Sequence, residues 1–365
     1  MEFGIFSNGF RSHTSAGQTY DADIAEIVLA DELGFRDAFI SEHHGEIPFI
    51  DRVDTIPAPE LMICKAAGLT RRIRMGAAVK LIHLHHPLDM AVQAAVADHL
   101  TGGRYILGFG SGFGNPAFSH SRGLSFEDRN ARLREALEFI LKCWRTKEPF
   151  DWDGVHWQGK DVLCLPKPVN GEGMPMAIAS DNPDMIRLAG ERGYIVLSSF
   201  IESVSKIRAR NELHGRHARQ AGQNEPLKNC SVARAVYIAD SRSEAIEDLR
   251  EAVTTEVAVQ AQRGFLDMLK TVHGLDVPND SSAIDYLVGS GLYVVGDPAE
   301  VAAQIKDFHD RCGGFGTLLI TTGKDWATPE KRARSMRRFM EEVAPQLRRL
   351  GPVGRSNVDG CDLPD

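Results

Sequence analysis

The sequence has no run of about 18 consecutive apolar residues, so it offers no helix to span a bilayer. It has no surplus of positive charge either: 42 Lys and Arg stand against 50 Asp and Glu, a formal net charge of −8. No basic stripe interrupts that balance, which excludes nucleic acid and anionic membranes as main partners. Cysteine is sparse and unpaired in pattern. The six residues Cys64, Cys143, Cys164, Cys230, Cys312 and Cys361 contain no C-x-x-C spacing, which fits a reducing compartment rather than a disulfide scaffold. The opening MEFGIFSNGF lacks the basic stretch and long apolar core of a secretory signal, so the expected location is cytoplasmic.

Against these absences stand 365 residues, 43% of them hydrophobic and 25% charged, enough apolar material for one large core. Short apolar runs alternate with helix-period segments, the pattern of a parallel sheet covered by helices. Strands are expected at Phe3–Phe6, Phe35–Ser41, Arg74–Leu81, Tyr105–Gly110, Pro175–Ala179, Tyr194–Ser198, Ser231–Ala239 and Gly316–Thr321. Eight such strands predict a (β/α)8 TIM barrel with its site at the strands' carboxyl ends. Ser125 reads as the cap of a long helix carrying Leu133, Leu137, Ile140, Leu141 and Trp144 at core spacing. Pro149–Gly173 reads as a β-rich excursion, and about 242–285 as a mostly helical insertion. Residues 1–350 form one domain on this reading, with 351–365 a disordered tail.

Five motifs carry chemistry, each with a plainer alternative. Glu42-His43-His44 follows the second strand, where an imidazole faces a substrate cavity and handles protons near neutral pH; a satisfied loop histidine explains it equally well. Met75-Gly76-Ala77-Ala78-Val79 is small enough for a flat ring to lie on its backbone, or simply a tightly packed strand. His83-Leu84-His85-His86-Pro87 has three imidazoles, but no ligand set completes a metal site, and His83 is read as part of a polar pocket rim. Gly108-Phe109-Gly110-Ser111-Gly112-Phe113-Gly114 follows the fourth strand with the wrong spacing for a dinucleotide fold, yet it exposes backbone N–H groups. Ala179-Ser180-Asp181-Asn182-Pro183 leads into a helix whose N-terminus suits a phosphate, although Asn182 and Pro183 are also ordinary capping residues.

Taken in order, these motifs resemble the bacterial-luciferase-like flavin monooxygenases, from about Met1 to Leu350. The long loop after His44 and the ending Gly-Thr-Leu-Leu-Ile-Thr-Thr-Gly-Lys-Asp-Trp look similar to the limonene and diketocamphane monooxygenase branch. The resemblance implies a homodimeric TIM barrel binding FMN, with Ala77-Ala78 under the ring and joined by a non-prolyl cis peptide. It places His43 on the catalytic histidine with His44 beside it, and Ser180 on the phosphate-binding serine, next to Asp181. Gly110, Ser111 and Gly112 complete the cofactor set. One departure stands out: family members carry an arginine for the phosphate where this chain has Ser111, which leaves backbone donors, Ser180, Arg104 or Arg122. Phe10, Phe109, Phe113 and Trp157, with His83, are the expected pocket walls.

The implied reaction is that of a two-component enzyme. A separate flavin reductase supplies reduced FMN, O2 adds to it, and the flavin hydroperoxide oxygenates a small apolar organic substrate by hydroxylation, epoxidation or Baeyer–Villiger insertion. A deazaflavin-dependent oxidoreductase on the same barrel, or a non-catalytic flavin-binding subunit, is the alternative.

Overall fold

The computed structural model describes residues 1–9, 11, 14–43, 56–112, 117–262 and 264–351. Strand β1 (Glu2–Ser7) leads to α1 (Ala16–Leu33). Ser15 caps that helix reciprocally with Gln18, and Gly34, at φ 84°, ends it in the left-handed conformation that favours glycine. Then follow β2 (Asp37–Ile40), α2 (Pro59–Ala67), β3 (Arg74–Ala77), α3 (Pro87–Leu100), β4 (Tyr105–Phe109), the short α4 (Ala117–His120) and α5 (Arg129–Arg145). An antiparallel hairpin, β5 (Phe150–Asp153) and β6 (Gln158–Val162), is the expected excursion. The chain resumes with β7 (Met176–Ile178), α6 (Pro183–Arg192), β8 (Ile195–Ser198), α7 (Val204–Gln220) and β9 (Cys230–Ile238). Helices α8 (Arg242–Gln262), α9 (Phe265–His273) and α10 (Ala283–Gly289) form the insertion. β10 (Tyr293–Gly296), α11 (Pro298–Arg311), β11 (Thr317–Thr321), α12 (Pro329–Arg338) and α13 (Ala344–Leu347) end the described chain.

Eight parallel strands close into a barrel in the order β1-β2-β3-β4-β7-β8-β9-β11. β9 seals the ring by pairing with β8 through Cys230–Val232 and with β11 through Ser231–Ala235. Its far end pairs with β10. All eight barrel strands are those expected from the sequence. Side chains alternate across each strand. Phe39, Ile106, Ala177, Ile195, Leu197, Ala233 and Leu319 fill the barrel, while Phe3, Ile5, Ile40, Met75, Leu107, Ile178, Val232 and Ile320 meet the helices.

Two local expectations fail. β3 stops at Ala77, and a 3-10 turn at Ile82–Leu84 follows. Ser125 does not cap α5; its hydroxyl donates to Glu127, and the helix begins four residues later, at Arg129. The insertion is mostly helical, as expected, and packs on the barrel. Ala245, Leu249, Val253, Val257, Ile284 and Leu287 share a core with Tyr237, Val295 and Trp326, which seats it beside the carboxyl ends of β9 and β10. None of the described helices is long and apolar enough to cross a membrane.

Candidate active site

The barrel's carboxyl mouth is apolar at its floor. Phe6 at the end of β1, Ala78 and Val79 after β3, Ala179 after β7 and Phe200 after β8 are partly exposed and pack on the barrel interior. The Phe6 and Phe200 rings face each other, with centroids 6.3 Å apart. Neither residue, nor Val79, was singled out from sequence, although the two-residue period of β1 puts Phe6 on the same side as Gly4.

Small residues in β3 and β4 divide into two groups. A Cβ on Gly76 would stand 2.7 Å from the Ile106 carbonyl, and one on Gly108 would strike the Ala77 carbonyl. These glycines let neighbouring backbones close up, the plainer of their two readings. Ala77 is fully buried and alternates to the outer side, opposite Ile40. The non-prolyl cis peptide joins Ala78 to Val79 rather than Ala77 to Ala78. The exposed platform is therefore Ala78-Val79, one residue beyond the expected pair.

Polar groups ring this floor. Ser41 Oγ and Thr321 Oγ1, in phase with the inward-facing Phe39 and Leu319, are buried without a hydrogen-bond partner. Partnerless buried hydroxyls are costly, so their position marks a place suited to a polar ligand edge. His43 is half-buried, its backbone N–H donating to the Ile56 carbonyl. Glu42, directly before it, lies 3.1 Å from Lys80 Nζ, which also donates to Glu60 at 2.9 Å. Lys80 is almost wholly buried. Burial alone would lower its pKa, yet Glu42 and Glu60 raise it above the ordinary lysine value, so it stays an ammonium tying the end of β2 to α2.

The three neighbouring imidazoles separate. His86 accepts the Leu88 N–H and caps α3, with its ring exposed. His83 is 3% exposed and its pKa falls to about 4, mainly through burial, with Arg132, His85 and Arg129 adding to the effect; it is neutral at ordinary pH. His85 is lowered by burial and by Lys80.

Other expected residues settle differently. Phe109 turns outward, fully buried in the helix layer with its edge toward Tyr194 at 6.1 Å, and is no pocket wall. Trp157 packs in the same outer layer, with the Arg132 guanidinium 4.4 Å over its ring; Arg132 in turn donates to the His83 carbonyl. Phe10, His44 and Phe113 lie outside the described residues. Gly110, Ser111 and Gly112 do lie at the mouth after β4, with Gly112 at φ 77° against Leu81.

The corner where the phosphate was expected departs most from that expectation. Arg104 lies before β4, at the barrel's opposite end, and spends its donors on Thr101, Thr70, Ile73 and Ala67. The α6 N-terminus is closed to ligands: Asn182 Oδ1 accepts from Asp184 N, the Asn182 carbonyl accepts from Met185 N and Ile186 N, and Pro183 has no N–H. Ser180 accepts from Asn182 N and keeps a hydroxyl proton to donate. Asp181, expected to touch the cofactor, pairs instead with Lys206 on α7 at 2.9 Å. Behind it Arg210 binds Glu202 and Ser198, and Arg234 donates to the Phe200 and Glu202 carbonyls. His273 on α9 also faces this corner, its pKa lowered by burial and by Lys206.

The luciferase-like monooxygenase family model matches residues 1–313. The chain belongs to that family. It resembles 4-hydroxyprotoasukamycin monooxygenase of Streptomyces nodosus subsp. asukaensis, 31% identical over 337 residues and covering 90% of this chain and 86% of that protein. It also resembles 3,6-diketocamphane 1,6-monooxygenase of Pseudomonas putida, at 28% identity over 95% of this chain and 98% of that one. Limonene 1,2-monooxygenase of Rhodococcus erythropolis is 25% identical over 96% and 88%. Among solved structures, the oxygenating constituent of the 3,6-diketocamphane enzyme in complex with FMN superposes with a TM-score of 0.80, covering 94% of this chain and 98% of that one at 28% identity. A relative of different cofactor, the F420-dependent glucose-6-phosphate dehydrogenase of Intrasporangium calvum, is 27% identical over 88% of this chain and 93% of that one. This chain is an oxidoreductase of the flavin-dependent monooxygenase kind.

Proposed function

We propose that the chain is the oxygenase of a two-component system, taking FMN already reduced by a separate reductase and using O2 to oxygenate a small apolar substrate. The observation that carries this reading is the mouth itself: a partly exposed Ala78-Val79 platform, an aromatic pair above the barrel interior, and partnerless hydroxyls at its edge. A flat ring with one polar edge suits that combination. Ala78, Val79, Gly110, Ser111 and Gly112 would hold the ring and its chain, Ser41 and Thr321 would meet the polar edge, and Ser180 would meet the phosphate.

When bound, reduced FMN supplies the oxygen-activating chemistry. The chain's residues do the rest. Phe6 and Phe200 give the substrate an apolar wall and keep water from it. His43, held at the end of β2 through Glu42 and Lys80, holds or moves a proton at its imidazole beside the ring. Neutral His83 lends the rim a polar group without a charge. Leu61 of α2, Leu69 just beyond its end and Leu100 of α3 are exposed on two packed helices, which supports a homodimer.

The reading is tested by feeding reductase-generated FMN under ¹⁸O2 with a panel of small cyclic ketones and terpenes. One ¹⁸O atom in a product is expected. Hydride transfer to F420 with no oxygen incorporation would replace it with the deazaflavin reading, which the F420-dependent relative makes the specific rival.

A further inference from the structure

The cofactor's phosphate needs positive charge; of the sources that sequence offered, Arg104 is committed at the far end of the barrel, the α6 N–H groups are used by Asn182, and Arg122 donates to the neighbouring Ser121 hydroxyl. The corner beside Ser180 nevertheless carries three cations, Lys206, Arg210 and Arg234, against two carboxylates, Asp181 and Glu202. Arg210 and Arg234 are buried, with their terminal NH groups on Glu202, Ser198 and backbone carbonyls, although the Nε of each has no partner and Arg210 Nη1 also lies 3.8 Å from Asp181. Arg210 is held by its close pair with Glu202, and Arg234 by the Phe200 and Glu202 carbonyls. Lys206 is different. It stands in the first turn of α7, at the carboxyl end of β8, a third exposed, and Asp181 is 64% exposed. An exposed ion pair contributes little and exchanges readily.

We propose that Lys206 is the cation that takes the FMN phosphate, exchanging Asp181 for it, with the Ser180 hydroxyl donating beside it. This rests on the FMN reading above. A phosphate dianion is a stronger partner for an ammonium than a solvated carboxylate, and Ser180 gives it a second donor within the same turn. Asp181 is then a counter-ion that holds Lys206 in place before binding and competes with the phosphate, not a cofactor ligand. Its negative charge opposes any anion at Ser180 until the lysine is shared.

Fluorescence titration of oxidised FMN and of riboflavin, which has the ring but no phosphate, separates the parts. Wild type binds FMN more tightly than riboflavin. Lys206→Met weakens FMN by about tenfold or more and leaves riboflavin unchanged, since one charge-assisted contact is lost. Asp181→Asn tightens FMN by about threefold, the size of an exposed pair relieved. A Lys206→Met protein that loses both flavins equally, or neither, overturns the proposal, as does an Asp181→Asn protein that loses FMN. So does Arg122→Met reproducing the selective loss while Lys206→Met does not. Wild type that binds riboflavin and FMN alike removes the phosphate site but leaves the ring site; wild type that binds neither removes the FMN reading itself.

Discussion

Gly110 lies directly against Val79: a Cβ on the glycine would stand 2.6 Å from Val79 Cγ2 and 3.0 Å from the Ala179 carbonyl. The loop after β4 can approach the Ala78-Val79 platform only because that side chain is missing. Gly110→Ala should push Val79 into the mouth. The expected outcome is weakened binding of FMN and riboflavin together, with a stability loss of about 1–3 kcal/mol from overpacking. Flavin titration and thermal unfolding measure the two effects. Unchanged flavin affinity would detach the platform from the cofactor.

His43→Ala should leave FMN affinity within a few-fold of wild type and lower the oxygenation rate by about 10²–10⁴, the usual weight of a positioned proton-transfer group. Single-turnover product yield with reduced FMN is the readout. A variant that turns over normally takes His43 out of the chemistry.

His83 gives a pH signature. Its folded pKa of about 4 lies below the free value of 6.5, so the unfolded chain binds more protons between those limits. The neutral, buried ring therefore costs nothing above pH 6.5, and stability falls as pH drops from 6.5 toward 4, by roughly 3 kcal/mol in all. His83→Gln cannot take up that proton. Denaturant unfolding across this window should show the wild type losing stability faster than the variant; parallel curves would mean the ring is not buried neutral.

How much of this was readable in advance depends on the range of the interaction. The eight barrel strands were legible because short apolar runs between helix-period segments are local signals, as was the Asn182 cap. Strand phase was not. Phe109 and Phe6 are both aromatic residues at or near a strand's carboxyl end, yet one faces the helices and the other the mouth, and only the register with neighbouring strands decides which. The same reason moved the platform from Ala77 to Val79. Ion pairs such as Lys80 with Glu60, or Lys206 with Asp181, join residues on different elements, and composition gives no hint of the partners. Asn182 was read correctly as a cap, and its capping closes the helix terminus that had suggested a phosphate site.

The apolar face of α2 and α3 carries a prediction about assembly. Leu61 and Leu100 are 70% and 62% exposed in the single chain. If this face pairs two copies, Leu61→Glu with Leu100→Glu should convert a dimer to a monomer in sedimentation velocity while circular dichroism stays unchanged. A wild-type monomer, or a dimer indifferent to both substitutions, would point away from this face.

The most direct test of the central claim is a crystal structure of the wild-type protein soaked with FMN. The expected density has the isoalloxazine ring on Ala78-Val79, its polar edge toward Ser41 and Thr321, and the phosphate between Ser180 and Lys206. A ring lying elsewhere, with the mouth between Phe6 and Phe200 left empty, would contradict it.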